Sequence, residues 1–128
     1  MIDDFLAMVD AAAEQRRAGL VTVAPGQMLA YIAKEAEARR FLADHTAGML
    51  ASPTAYPWLL SEVGITAPAT GDITADLGAV ADTILTAAAT FAAKATAIEA
   101  TRLATKQAIR ATTCAEEAAT LITSLTWP

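Results

Sequence analysis

The chain has 128 residues, a formal net charge of −5, an apolar share of 55%, one cysteine and one histidine. That length holds one domain, or one domain with an extended arm. The acidic balance excludes the basic footprint that nucleic-acid binding needs, and a lone cysteine excludes an internal disulfide and fits a reducing compartment.

Ile2 to Ala18 predicts the first helix, because Phe5, Leu6, Met8, Val9, Ala12 and Ala13 recur at helical spacing. Asp3 and Asp4 suit the positive end of its dipole, and Arg16 and Arg17 the negative end. Gly19 is expected to terminate it. The opening MIDDFLAMVD is acidic and only weakly apolar, so no signal peptide is expected. No lipidation motif is visible. Leu20 to Val23 reads as a short β-prone link, and Pro25 starts the second helix, where proline is tolerated. The second helix is expected from about Gln27 to Ala43. Its apolar face is Met28, Leu29, Tyr31, Ile32, Ala36, Ala38 and Leu42, with Phe41 on the flank. Lys34, Glu35, Glu37, Arg39 and Arg40 are expected on the solvated side. Glu35 and Glu37 lie two apart and point to different faces, so they do not form a catalytic pair.

His45 to Ala55 reads as a loop. Tyr56-Pro57-Trp58-Leu59-Leu60 follows, the densest aromatic cluster of the chain. A short helix is expected over Trp58 to Val63, with Pro57 in its first turn and Gly64 ending it. Tyr56 and Trp58 either close the core or form an exposed docking patch, since both residue types are favoured interface anchors. Ile65 to Gly71 links onward, and Asp72 is placed to cap the next helix.

Ile73 to Ala111 reads as one long helix. It contains no proline, and alanine, the best helix former, dominates it. The stripe Val80, Ile84, Ala87, Phe91, Ala95, Ile98, Arg102, Lys106, Ile109 steps by 4, 3, 4, 4, 3, 4, 4, 3, nearer an eleven-residue than a seven-residue repeat. The stems of Arg102 and Lys106 can lie along such a seam with their heads in water. At 1.5 Å per residue the helix would span roughly 58 Å, against a diameter of about 35–40 Å for a compact chain of this size. It therefore breaks, projects, or pairs with another chain. Thr83 to Ala93 carries no charge, which a helix face in water usually does, so contact on more than one face is expected. A membrane span is not expected, because Asp82 and Lys94 bound a stretch shorter than the ~20 residues required. Alanine makes up roughly a quarter of the chain and removes little apolar area from water, a further reason to expect a partner chain.

Thr113-Cys114-Ala115-Glu116 fits a capping box and predicts a new helix start at Thr113. A short last helix then uses Leu121, Ile122 and Leu125, and Trp127 packs on this domain or on a neighbour. Cys114 is expected as a small buried hydrophobe. The sequence shows no glycine-rich phosphate loop, no Cys/His metal spacing and no nucleophile elbow. His45 is expected at the surface or packed in its loop. No catalytic, metal-binding or cofactor-binding residue is assigned, and no cofactor is expected.

Three stretches resemble small alanine-rich proteins encoded among bacteriophage and prophage tail genes. They are Tyr31-Ile32-Ala33-Lys34-Glu35-Ala36-Glu37-Ala38 with Phe41-Leu42-Ala43-Asp44; Tyr56-Pro57-Trp58-Leu59-Leu60 with Gly64-Ile65-Thr66; and Ile98-Glu99-Ala100-Thr101-Arg102 with Lys106-Gln107-Ala108-Ile109. The many threonines of the long helix and the loop at His45 to Ser52 depart from that group. The resemblance implies a component or accessory protein of the tail tip, baseplate or fibres, located in the virion or the bacterial cytoplasm. It carries over no activity.

The expected fold is all-α: a small helical bundle with one long Ala/Thr-rich helix and a short C-terminal helix. Residues 1–71 form an N-terminal helical region with the aromatic-proline turn, and residues 72–128 the long helix plus the last helix, together one domain. The expected function is a non-enzymatic tail-associated structural or assembly protein acting through helix–helix contacts. Its candidate interaction residues are Tyr56, Trp58, Leu59, Ile84, Phe91, Ile98 and Trp127, and its partners are tail or fibre proteins or further copies of the chain, with no nucleic acid and no membrane. The alternative is a monomeric adaptor or inhibitor that binds a host or phage factor through a Trp58 patch. A small enzyme using Cys114 or His45 is a third possibility, for which no substrate suggests itself.

Overall fold

A computed structural model describes residues 1–20 and 25–128. The fold is all-α, a small helical bundle with one long Ala/Thr-rich helix and a short C-terminal helix. The helices are α1 (Ile2–Leu20), α2 (Pro25–Thr46), α3 (Pro57–Glu62), α4 (Ile73–Arg110) and α5 (Ala115–Ser124), with a 3-10 turn at Pro53–Ala55. Among the described residues there is no strand, only an isolated bridge between Val63 and Ala67. Of the β-prone link expected at Leu20 to Val23, Leu20 ends α1 and the rest lies outside the described residues. α1 runs through Gly19 instead of stopping there. A single glycine weakens a helix by only about 1 kcal/mol, less than the packing of a whole helix supplies.

The chain divides into two compact units. One comprises Met1–Thr22 and Phe91–Pro128, the other Val23–Thr90. α4 is continuous and contributes to both.

The unit of Val23–Thr90 is built on Ala38, Phe41, Tyr56, Leu59, Leu77, Val80 and Ala81, all buried. Phe41 and Tyr56 meet edge to face at 5.2 Å between ring centroids, the arrangement their quadrupoles favour. Phe41, expected on the flank of the second helix, is thus the centre of its buried face. Leu29, Tyr31 and Ile32, expected on that face, are exposed. The buried side is set by where α3 and α4 supply apolar partners, and the apolar residues of α2 are spread too evenly round the helix to choose a side themselves. α3 begins at Pro57, one residue earlier than expected, and the chain leaves it through Gly64 at φ +83°, a conformation that favours glycine. Asp72 caps α4 as expected, its carboxylate accepting the Ala75 N–H at 3.3 Å.

In the other unit, Val9, Ile109 and Ala118 form a small core, with Ile2, Phe5, Leu6, Leu121, Ile122 and Trp127 packed around it. The break expected near Arg110 is present: α4 ends there, and the Thr112 hydroxyl and N–H both turn back to the Ile109 carbonyl. The cap that starts α5 is shifted by one residue. Cys114 holds the cap position, and Glu117, in place of Glu116, reaches back to accept the Thr113 N–H at 3.0 Å. Cys114 is exposed, contrary to the expectation of a buried thiol. As a cap it must sit at the helix edge, where its side chain meets water.

Candidate interaction site

α4 is buried at Leu77, Val80 and Ala81 and again at Ile98 and Ile109. Between those points its surface opens. Thr86, Ala87, Ala89, Thr90, Phe91, Ala92, Ala93 and Lys94 are all exposed, and only Ala88 is half-covered. Of Thr83 to Ala93, Ile84 and Leu85 pack on the core of the Val23–Thr90 unit; among the described residues the rest of the stretch shows no buried position. Phe91, the largest apolar side chain of the stretch, is 44% exposed. Nearby hydroxyls are already occupied: Thr83 donates to the Ala79 carbonyl at 3.0 Å, Thr90 to Thr86 at 3.0 Å and Thr96 to Ala92 at 2.7 Å. A hydroxyl bonded to the carbonyl one turn back already has a partner and loses little when water leaves. Within the exposed stretch itself, the Thr90 hydroxyl is paired in this way.

The candidate residues named from the sequence separate into two sets. Tyr56, Leu59 and Ile98 are core residues, unavailable as surface contacts. Ile84 and Trp127 are partly buried against the two cores. Trp58 and Phe91 remain open, Trp58 at 40%. Tyr56, which caps α3, is buried, whereas Trp58, in its first turn, is exposed. The Tyr56 hydroxyl donates to Asp44 at 2.6 Å and accepts the Ala51 N–H at 3.2 Å, while the Arg40 guanidinium covers its ring at 4.8 Å. Asp44 is the first cause that pushes the Tyr56 hydroxyl above its ordinary range, since it favours the protonated donor.

Polar side chains do structural work that sequence reasoning missed. Glu37, expected in solvent, is 6% exposed and accepts the Leu59 N–H at 2.7 Å. Leu59 lies in the first turn of α3, where amides lack helical partners. Tyr56, at the cap position, supplies no side-chain bond, so α2 caps α3 from outside. Lys34, also expected in solvent, pairs with Glu62 of α3 at 2.6 Å. Asp76 accepts the Thr70 hydroxyl at 2.7 Å and its N–H at 2.9 Å, bonds that hold its carboxyl below the usual range. Arg102 and Lys106, expected with heads in water, both bind Asp10 of α1 at 2.8 Å. Lys106 first and Arg102 second hold the Asp10 carboxyl below its ordinary value. Arg102 also binds Glu99 at 2.6 Å, and Arg17 of α1 binds Glu99 at 2.9 Å. Spacing along one helix shows the Glu99–Arg102 pair, three residues apart, but not the pairs of Asp10, Arg17 or Lys34, whose members lie far apart in sequence.

Among the described residues, no group of three or more His, Cys, Asp or Glu could hold a metal ion. His45 is exposed and stacks on Phe41 with 6.1 Å between ring centroids. By length and composition alone, α4 is long and apolar enough to cross a membrane. Compared with known proteins, the chain matches no family model, no curated protein and no solved structure.

Proposed function

We propose that this chain is a non-enzymatic structural or assembly protein of a bacteriophage tail, acting through helix–helix contacts of α4. The observation that carries the contact is the stretch Thr86–Lys94, open to solvent and free of charge until its last residue. An isolated exposed helix gains nothing from lacking charge, whereas a helix that packs gains much. Exposed Phe91 supplies the apolar anchor, and the back-bonded threonines let a partner backbone approach. The tail assignment rests on the resemblance of the three quoted stretches. A second copy of the chain is the first partner, and a tail or fibre protein the second. A bilayer fits the stretch less well than a helix does. Thr83 to Ala93 is an uncharged run of 11 residues, against the ~20 that a span needs.

The exposure of Trp58 favours one alternative, a monomeric adaptor or inhibitor docking through α3. Charge placed in each patch separates the two. Phe91→Glu should abolish association and Trp58→Glu should leave it intact if α4 is the contact. Association that survives Phe91→Glu refutes the α4 reading; a native chain that stays monomeric selects the adaptor.

A further inference from the structure

Most charges of α4 are engaged within the chain. Asp76 is bonded to Thr70, Glu99 pairs with Arg17, and Arg102 and Lys106 pair with Asp10. Arg110 closes the helix, where a cation suits the negative end of the dipole. Asp82 and Lys94 are left. Both are exposed, and neither forms an ion pair among the described residues. They lie about 18 Å apart along the helix, too far to pair with each other. Between them runs the uncharged stretch Thr83 to Ala93, whose midpoint is Ala88. Asp82 therefore stands as far before Ala88 as Lys94 stands after it.

That symmetry matches a second copy of the same helix. With two α4 helices antiparallel and a two-fold axis at the level of Ala88, Asp82 of each copy comes level with Lys94 of the other, at both ends of the contact. The same placement opposes the two helix dipoles. A parallel pair would set Asp82 beside Asp82 and Lys94 beside Lys94, and like charges repel. An unrelated partner requires neither opposite signs nor equal spacing about one centre, whereas a two-fold contact uses both. Thr83, Ala87, Thr90 and Lys94 recur at helical spacing on one exposed side, with exposed Phe91 beside them. The geometry points to a second copy of this chain as the occupant of that side, docked antiparallel about Ala88 and held in register by Asp82 and Lys94. This pairing rests on reading α4 as the assembly helix, and it names the partner and the register.

Spin-label distances on the full chain test the register. In a Cys114→Ser background, single labels at Ala79→Cys, Thr86→Cys and Ala97→Cys report the separation of like positions in the two copies. About Ala88, like positions at 79 and at 97 are each offset by about 27 Å along the helices, and those at 86 by about 6 Å. With helix axes about 8–10 Å apart, positions 79 and 97 should give equal distances near roughly 30 Å, and position 86 a distance below about 20 Å. Asp82→Lys should raise the dimer Kd roughly threefold to thirtyfold, the range for two exposed pairs, and adding Lys94→Asp should restore it to within about threefold. Short, equal distances at all three positions mean a parallel pair and overturn the proposal, as do unequal distances at 79 and 97 or a double variant as weak as the single one. In each of those cases a mass above 13.3 kDa leaves the assembly reading standing. A mass fixed at 13.3 kDa overturns the assembly reading and the pairing with it.

Discussion

Replacing Glu37 by alanine isolates the contact that ties α2 to α3. In the native chain its carboxylate accepts the Leu59 N–H at 2.7 Å in a buried setting, with the Arg40 guanidinium 3.8 Å away. Glu37→Ala removes the acceptor but not the burial of the amide, and a buried N–H without a partner costs about 1–3 kcal/mol. We expect a loss near 2 kcal/mol, a fall in Tm of about 6–10 °C for a chain of this length. Glu37→Gln keeps an acceptor oxygen of the same reach and loses only the charge assistance, so its loss should be about 1 kcal/mol or less. Urea unfolding of the three proteins measures both steps, with an unchanged m-value showing that stability alone has moved. Exchange of the Leu59 amide should accelerate in Glu37→Ala ahead of global unfolding. Alanine within 0.5 kcal/mol of the native chain, or glutamine as damaging as alanine, would falsify the claim that this carboxylate acts as the missing cap of α3.

Three further outcomes are expected. Gly78→Ala should stabilise the chain by about 0.5–1 kcal/mol in thermal unfolding, because Gly78 lies within α4 and an added Cβ meets the Phe41 Cε1 at an ordinary 3.7 Å; destabilisation would mean that α2 and α4 pack more tightly than described. Phe41→Ala should cost about 3–5 kcal/mol by calorimetry or urea titration, since it removes the central ring of an alanine-poor-in-area core. Asp76 has a folded pKa below its ordinary 3.8, so its contribution is complete above about that pH and is lost as the pH falls through the folded value. Acid titration followed by circular dichroism should therefore show a steeper loss below pH ~4 in the native chain than in Asp76→Asn.

Helix existence was legible in the sequence; helix orientation was not. The limits of α4 follow from the run of alanine, the Asp72 cap and the absence of proline, all local signals. The Pro57 start and Gly64 exit of α3 were legible for the same reason. The buried face of α2 was not, because Leu29 and Ile32 on one side and Ala38 and Phe41 on another give no single apolar direction. Only the position of Tyr56, Leu59 and Leu77 decides between them. Glu37 and Asp10 were missed because a charged residue on a helix reads as part of its solvated surface. What distinguishes each is a partner far along the chain: Leu59 for Glu37, Arg102 and Lys106 for Asp10. Exposed Phe91 was named from its charge-free surroundings, whereas Ile98, on the same stripe, is buried. Periodicity marked both as apolar and could not say which would be covered.

The central claim is that the open, uncharged span of α4 is an assembly contact. Light scattering across a wide concentration range tests it most directly. The account predicts a mass that rises above 13.3 kDa with concentration in the native chain and stays at 13.3 kDa in Phe91→Glu. A native chain that remains at 13.3 kDa at every concentration would contradict it and shift the weight to a monomeric adaptor.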